Sequence, residues 1–300
     1  MPGEDIAVTI QASVLCVGET LWDVLPTGEF LGGAPLNVAA HLVRLGTPAA
    51  LVSRVGIDWR GHLALERMHE LHLDTSHVQT DARLPTGEAR AVLDATGSAS
   101  YAFLEPAAWD RIEAGDAVLD AARRSRAVVF GTLAQRAPAS RSAIDRILGA
   151  AEWRVLDVNL RAPHADRDVA MRSLEQADFV KLNEHELVVF ARWFGIEPEP
   201  GQLQEFLTLE FGTTTLCITR GPEGAVLWHE GRWTRQAAIA TAVVDTIGAG
   251  DAFLAMLLSE LLVGRPASLA MERAAHLAAY VASRPGAVPP YDPGQFRSGE

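Results

Sequence analysis

The run Val244-Asp245-Thr246-Ile247-Gly248-Ala249-Gly250-Asp251-Ala252-Phe253 is the part of this sequence best suited to chemistry. Two glycines at alternate positions ahead of an apolar helix let backbone N–H groups converge on one point, where the helix dipole also favours negative charge. Such a turn is an anion pocket. A carboxylate beside it, Asp251, would repel the ligand unless it serves to take a proton from an attacking hydroxyl. Base and anion hole together read as phosphoryl transfer to an alcohol. Taken alone, the same aspartate also reads as a helix N-cap, worth ~1 kcal/mol. A dinucleotide-binding turn fits less well, because Phe253 stands where the third glycine of Gly-x-Gly-x-x-Gly belongs.

A second chemical segment is Gly32-Gly33-Ala34-Pro35-Leu36-Asn37-Val38-Ala39. A glycine pair before a proline at a helix start leaves bare backbone, with the Asn37 amide beside it, open to a polar ligand. Upstream, Asp23 follows the first apolar run in Gly18-Glu19-Thr20-Leu21-Trp22-Asp23. Aspartate and asparagine suit sugar hydroxyls as acceptor and donor, although each alone also reads as a turn or cap residue.

Charge and composition remove whole classes. With 26 Lys+Arg against 38 Asp+Glu, the net charge of −12 is a poor footing for nucleic acid or an anionic membrane, so neither is expected as a partner. Arginine accounts for 25 of the basic residues and Lys181 is the single lysine. Lys181 lies in Phe179-Val180-Lys181-Leu182-Asn183, without the glycines of a phosphate-binding P-loop or the context of a protein-kinase lysine. Cys16 and Cys217 sit in apolar runs and read as free core thiols. Among nine histidines, the nearest to a metal motif are Glu66-x-x-His69 and His69-Glu70-Leu71-His72, which lack the His-Glu-x-x-His spacing. No Gly-x-Ser-x-Gly nucleophile elbow occurs. Neither a secretory leader nor an ~18-residue apolar span is evident, so a cytoplasmic protein is expected.

These segments need a scaffold, and the chain alternates short apolar runs with helical patterns, the mark of a parallel α/β sheet. After a ragged start at 1–12, strands are predicted at 13–18, 49–55, 127–132, 154–159, 179–182 and 214–219. Helices are predicted at 35–45, 60–71, 139–150, 184–194, 203–211, 251–263 and 268–284. The helix after Asp251 is apolar nearly all round and should be central. Segments 22–30 and 88–104 break the rhythm. The second, turning at Ala95-Thr96-Gly97-Ser98, reads as an antiparallel hairpin that forms a flap over one edge of the sheet. A loose tail is expected from Pro289.

Asp-Thr-Ile-Gly-Ala-Gly-Asp at 245–251 and Gly-Gly-Ala-Pro-Leu-Asn-Val-Ala at 32–39 together resemble the two signatures of the ribokinase-like carbohydrate kinases, the phosphofructokinase B family. The resemblance runs over nearly the whole chain. It implies one ribokinase-like α/β domain over 1–300, a three-layer, mostly parallel sheet flanked by helices, with a small β lid from 22–30 and 88–104. It also implies ATP and Mg²⁺ as cofactors. Asp251 would be the base, with the Gly248, Ala249 and Gly250 amides stabilising the transferred phosphoryl group. Asp23, Gly32, Gly33 and Asn37 would hold the sugar, with Phe103 from the lid.

Asn183-Glu184-His185-Glu186 resembles the family's Asn-x-x-Glu motif, which implies that Asn183 lies at the nucleotide and that Glu186 orders Mg²⁺ through water. As plain sequence it is a helix start with favourable early acids. Thr219-Arg220-Gly221-Pro222-Glu223-Gly224 resembles the strand-to-turn segment along ATP, implying contacts from Thr219, Gly221 and Gly224; otherwise it is a hairpin turn. Asp245, Ile247, Ser283 and Gly286 are similar in placement to the K⁺ loop of potassium-activated members. Lys181 is open to a role near the nucleotide or a structural one.

Gly131-Thr132-Leu133-Ala134, Ser140–Ser142 and Leu156-Asp157-Val158-Asn159-Leu160-Arg161 are most similar to bacterial fructokinases, with Arg161 a substrate contact or a surface arginine. A 2-keto-3-deoxygluconate kinase would need a cation for its substrate's carboxylate, and no arginine directly follows Tyr101. A nucleoside kinase would need an aromatic pocket, for which Trp22, Phe30 and Phe103 are available. From another class, a non-catalytic sugar-binding regulatory protein would have no use for Asp251. The expectation is therefore an ATP-dependent fructokinase, with a homodimer through an exposed lid strand.

Overall fold

The protein is described from a computed structural model covering residues 13–25, 28–93 and 99–297. The predicted turn at 95–98 and the ragged start at 1–12 lie outside the described residues, as do the last three residues of the tail. Thirteen strands are described: β1 (Val14–Val17), β2 (Leu21–Leu25), β3 (Gly28–Gly32), β4 (Ala49–Gly56), β5 (Val78–Asp81), β6 (Gly87–Leu93), β7 (Ala99–Phe103), β8 (Ala127–Gly131), β9 (Arg154–Asp157), β10 (Phe179–Asn183), β11 (Thr215–Thr219), β12 (Ala225–His229) and β13 (Arg232–Gln236). The α-helices are α1 (Ala34–Arg44), α2 (Trp59–Glu70), α3 (Asp116–Arg124), α4 (Pro138–Leu148), α5 (Arg167–Gln176), α6 (Glu184–Phe194), α7 (Pro200–Phe211), α8 (Ala249–Leu262) and α9 (Ala267–Ala282).

Nine strands form one sheet in the order β13-β12-β11-β10-β9-β8-β1-β4-β5, parallel from β11 to β5, with β12 and β13 added as an antiparallel edge. Strands such as Val14-Leu15-Cys16-Val17 and Ala127-Val128-Val129-Phe130 are buried on both faces, which requires helices on each side. One apolar layer joins the sheet to α1, α2, α8 and α9 and the other joins it to α3 through α7. The predicted α/β architecture is thus present in three layers. A second sheet, β3-β2-β6-β7, is built from the two segments that broke the rhythm.

Element ends differ from the sequence prediction for local reasons. Strand β9 stops at Asp157 because Asn159 turns to a left-handed φ of 42°. Helix α8 starts at Ala249, two residues before its predicted start, because Gly248 caps it at φ 75°. Leu254, Leu257 and Leu258 on α8 are fully buried, each worth roughly 1.5–3 kcal/mol, so the core fixes where that turn sits. Both cysteines are buried and free, and burial pushes the Cys217 thiol up to about 12, as suits inert core positions. Among the described residues no helix is long and apolar enough to cross a membrane.

Candidate active site

The C-terminal ends of β9, β10 and β11 open into a cleft of about 490 Å³. The start of α1 and the start of α8 form its floor, and Asp23 of β2, Ala89 of β6 and Phe103 of β7 bring the second sheet to its wall. Sequence segments from opposite ends of the chain meet there. Asn37 Nδ2 donates to Asp251 Oδ2 at 2.8 Å across 214 residues of sequence.

Asp251 is the third residue of α8, so it is not the N-cap that its sequence alone allowed; that place belongs to Gly248, and no side chain caps the helix. The Ala249 N–H turns back to the Thr246 carbonyl at 3.3 Å, so the expected trio of converging amides is corrected at its middle member. Gly250 and Asp251 occupy first-turn positions whose N–H groups have no partner four residues back, which leaves the helix start open to an anion. Glycine is required at 248 twice over. Its φ is left-handed, and a methyl group there would lie 2.6 Å from the Ala287 Cα. At position 33, with φ 119°, a Cβ would run into the Glu19 carbonyl oxygen.

Carboxylates crowd this cleft. Burial pushes Asp251 up to about 6, reinforced by the charge of Asp157 and opposed by Lys181, the Asn37 hydrogen bond and Arg161. Burial also lifts Asp23 to about 6 against the pull of Arg161. Glu19, which carried no role in the sequence reading beyond its place in the run before Asp23, is 3% exposed and is raised by burial to about 7. Its Oε1 accepts from the Ala34 N–H at 3.3 Å, whereas Oε2 is a buried acceptor without a partner, as is Asn37 Oδ1. Buried polar atoms are ordinarily satisfied, so these two leave unused acceptor capacity on residues that line the cleft.

Of the predicted site residues, Asp23, Gly33, Asn37, Phe103, Arg161, Asn183, Thr219, Gly221, Ile247, Gly248, Gly250 and Asp251 line the cleft. Gly32 does not, but a Cβ there would collide with the Asp23 carboxylate, so it leaves room for that side chain. Gly224 is also outside; it closes the turn after β11, donating to the Gly221 carbonyl at 3.1 Å. Asp245 ties two loops together, accepting from Ile247 N–H at 2.9 Å and Gly286 N–H at 3.3 Å, while Ser283 Oγ donates to the Tyr280 carbonyl. Lys181, Asn159, Thr246, Glu184 and His185 line the cleft without having been assigned there from sequence.

Asn183 and Glu186 form a reciprocal capping box on α6. The Asn183 side chain accepts from the Glu186 N–H at 3.0 Å and Glu186 Oε2 accepts from the Asn183 N–H at 2.8 Å. Glu186 Oε1 accepts from the Leu160 N–H at 2.7 Å. With both oxygens engaged and 5% of the residue exposed, Glu186 is not a bare carboxylate for direct metal ligation. Each oxygen keeps a lone pair, which fits water-mediated contact with a cation carried on a ligand's phosphates.

The sequence profile of the pfkB family carbohydrate kinases matches residues 9–293. The chain belongs to that family. This carbohydrate kinase is 31% identical over 277 residues to the fructokinase of Klebsiella pneumoniae, covering 87% of its own length and 88% of that enzyme's. The structure of Xylella fastidiosa fructokinase with bound ATP superimposes with a TM-score of 0.81 at 22% identity, covering 93% of this chain and 94% of that one. Vibrio cholerae fructokinase, in its fructose-, ADP- and calcium-bound form, gives 0.79 at 24% identity over 92% and 95% of the two chains. These two likenesses establish the fold, a ribokinase-like α/β architecture.

Proposed function

We propose that this kinase transfers the γ-phosphoryl group of MgATP to a hydroxyl of a neutral sugar, with D-fructose, phosphorylated at O6, as the acceptor. The observation that carries the reading is the 2.8 Å bond from Asn37 to Asp251, which joins the sugar-type segment and the anion-type segment in one cleft. With Oδ2 held by Asn37, Asp251 presents Oδ1 to take the acceptor's proton. Asp23, Gly33 and the unsatisfied atoms of Asn37 and Glu19 meet the sugar, with Arg161 and Phe103 beside it. The open start of α8 receives the charge of the moving phosphoryl group. Thr219 and Gly221, with Asn183 beyond them, lie along the nucleotide.

When bound on the nucleotide's phosphates, magnesium would supply charge neutralisation, and Glu186 would hold its waters. The loops joined by Asp245 would take K⁺ on the carbonyls of Ile247, Ser283 and Gly286. The four-stranded sheet serves as a lid on the single domain, and its edge strand β3, with Phe30 partly exposed, is where a homodimer would form.

Fructose is favoured over an acidic sugar by the cleft's own charge. Among the described residues, Glu19, Asp23, Glu184 and Asp251 line the cleft with one unpaired guanidinium, Arg161, because Lys181 is already paired with Asp157. The 31% identity to a bacterial fructokinase supports the same choice. The test is kcat/KM for fructose, ribose, 2-keto-3-deoxygluconate, fructose 1-phosphate and adenosine with saturating MgATP, with and without K⁺. Fructose should rank first. A preference for an acidic or phosphorylated substrate overturns the fructokinase reading, and sugar binding without ADP from any substrate favours a non-catalytic binder.

A further inference from the structure

Lys181 is the only lysine of the chain, and its position is unusual. It stands on β10 directly opposite Asp157 on β9, and its Nζ donates to both Asp157 oxygens at 2.9 Å. The pair is almost fully withdrawn from water, with side chains 8% and 5% exposed, yet Lys181 reaches the cleft wall. It also packs beneath the anion turn, since a methyl group at Gly250 would lie 3.2 Å from Nζ. Glycine at 250 therefore lets the ammonium approach the first turn of α8, one residue from Asp251.

We propose that Lys181, held in place by Asp157, is a positioning residue that keeps Asp251 ionised as the base and braces the Gly248–Asp251 turn against β10. This rests on the phosphoryl-transfer reading given above. The groups around Asp251 set up the need for it. Asp157 lies on the sheet side, Glu19 in the β1–β2 connection and Asp23 on β2 feel the Asp251 charge, and among the described residues the charges of Lys181 and Arg161 oppose them, together with the Asn37 hydrogen bond. Arg161 is exposed on its loop, whereas Lys181 is buried, so the lysine charge is the less screened by water. Burial works against the Lys181 ammonium, but Asp157, Asp251 and Glu186 together hold it above the usual lysine range. It thus stays charged throughout the range in which Asp251 titrates.

An ion pair that only stabilised the strands would behave differently from one that tunes a neighbour. Removing the lysine charge leaves Asp157 as an unopposed anion beside Asp251, which makes the base harder to ionise. Removing the aspartate charge leaves the ammonium unopposed, which makes it easier. The two deletions should displace the acidic limb of activity in opposite directions.

The experiment measures kcat/KM against pH for the wild type, Lys181→Met and Asp157→Asn, with MgATP and the best sugar of the panel, folding being checked by thermal melting. Titration of the nucleotide is common to all three proteins and cancels in the comparison. Lys181→Met should move the limb up by about one pH unit and Asp157→Asn should move it down by a similar amount. Limbs that stay in place, or move the same way, overturn the proposal while leaving the kinase reading intact. If Lys181→Met does not fold, the downward shift of Asp157→Asn decides alone, and its absence overturns the proposal. Wild-type protein that forms no ADP with any sugar overturns both readings.

Discussion

Two helices begin at the same cleft, α6 and α8, and their first turns are finished in opposite ways. At α6 the polar groups are spent on one another: Asn183 and Glu186 satisfy each other's amides, and Glu186 takes the Leu160 N–H as well. At α8 no side chain caps the helix, the cap residue is a left-handed glycine, and the nearest carboxylate turns away to Asn37. A closed helix start stabilises the fold, and an open one keeps its partial positive charge for a ligand. Both segments resemble family motifs, so the resemblance alone does not say which kind of start each makes.

That contrast breaks most sharply at Asp251. Asp251→Asn keeps the Asn37 neighbour and the open amides but removes the proposed base, so kcat should fall by roughly 10²–10⁴-fold with ATP affinity nearly unchanged in calorimetry. Residual turnover above about a tenth of wild type would show that the open start works without a base. Next comes Gly248→Ala, where a left-handed φ costs ~1–2 kcal/mol and the methyl meets Ala287. Melting temperature should drop by several degrees and kcat by about tenfold as the turn shifts.

The pH response is a further separation. With Asp251 raised to about 6, activity should fall about tenfold per unit below that pH as the proposed base is protonated. Stability should run the other way. Glu19, Asp23 and Asp251 all titrate higher folded than unfolded, so their protonated forms stabilise the ligand-free protein at low pH. That contribution is lost as pH rises through about 6 to 7, which denaturant titrations at pH 5 and pH 7.5 would detect as a decline. The smallest effect is expected at the closed helix: Asn183→Ala should cost ~1 kcal/mol, or about 2–4 °C in melting, with kcat within about twofold of wild type. A large loss of kcat there, instead of a weaker ATP affinity, would mean that the closed start acts on the moving phosphoryl group and does more than hold the nucleotide.

The parts legible in the sequence were those with one dominant signal. Continuous apolar runs such as Val128-Val129-Phe130 located the central strands, and the all-round apolar pattern after Asp251 located the buried α8. Less marked elements were missed. Strands β12 and β13 follow a tight turn, and Arg232-Trp233-Thr234-Arg235-Gln236 is largely exposed at the sheet edge, so burial imposed little pattern on it. Strand β5, Val78-Gln79-Thr80-Asp81, is the opposite edge and short. Helices α3 and α5 bury only a narrow face, including Ala121 and Ala122 in one and Ala170 and Leu174 in the other. In the site, Glu19 passed without a role because an acid after a strand is ordinary until its surroundings are known.

By itself, the sequence determined which groups were available: two glycine-rich helix starts, Asp251 after one of them, Asn37 after the other, and a single lysine. It could also exclude chemistries, because a missing residue type is absent from every fold of the chain. Which groups act on one another was decided only by tertiary structure. Charge interactions depend on distance and on exclusion of water, and both arise when the ends of β9 and β10 bring Lys181 to Asp157 beneath Gly250. The same burial raises three ordinary acids to about 6 to 7 and crowds any side chain at Gly248 against Ala287. Residue types are local properties of the chain, whereas pKa values and steric limits belong to neighbours that are remote in sequence.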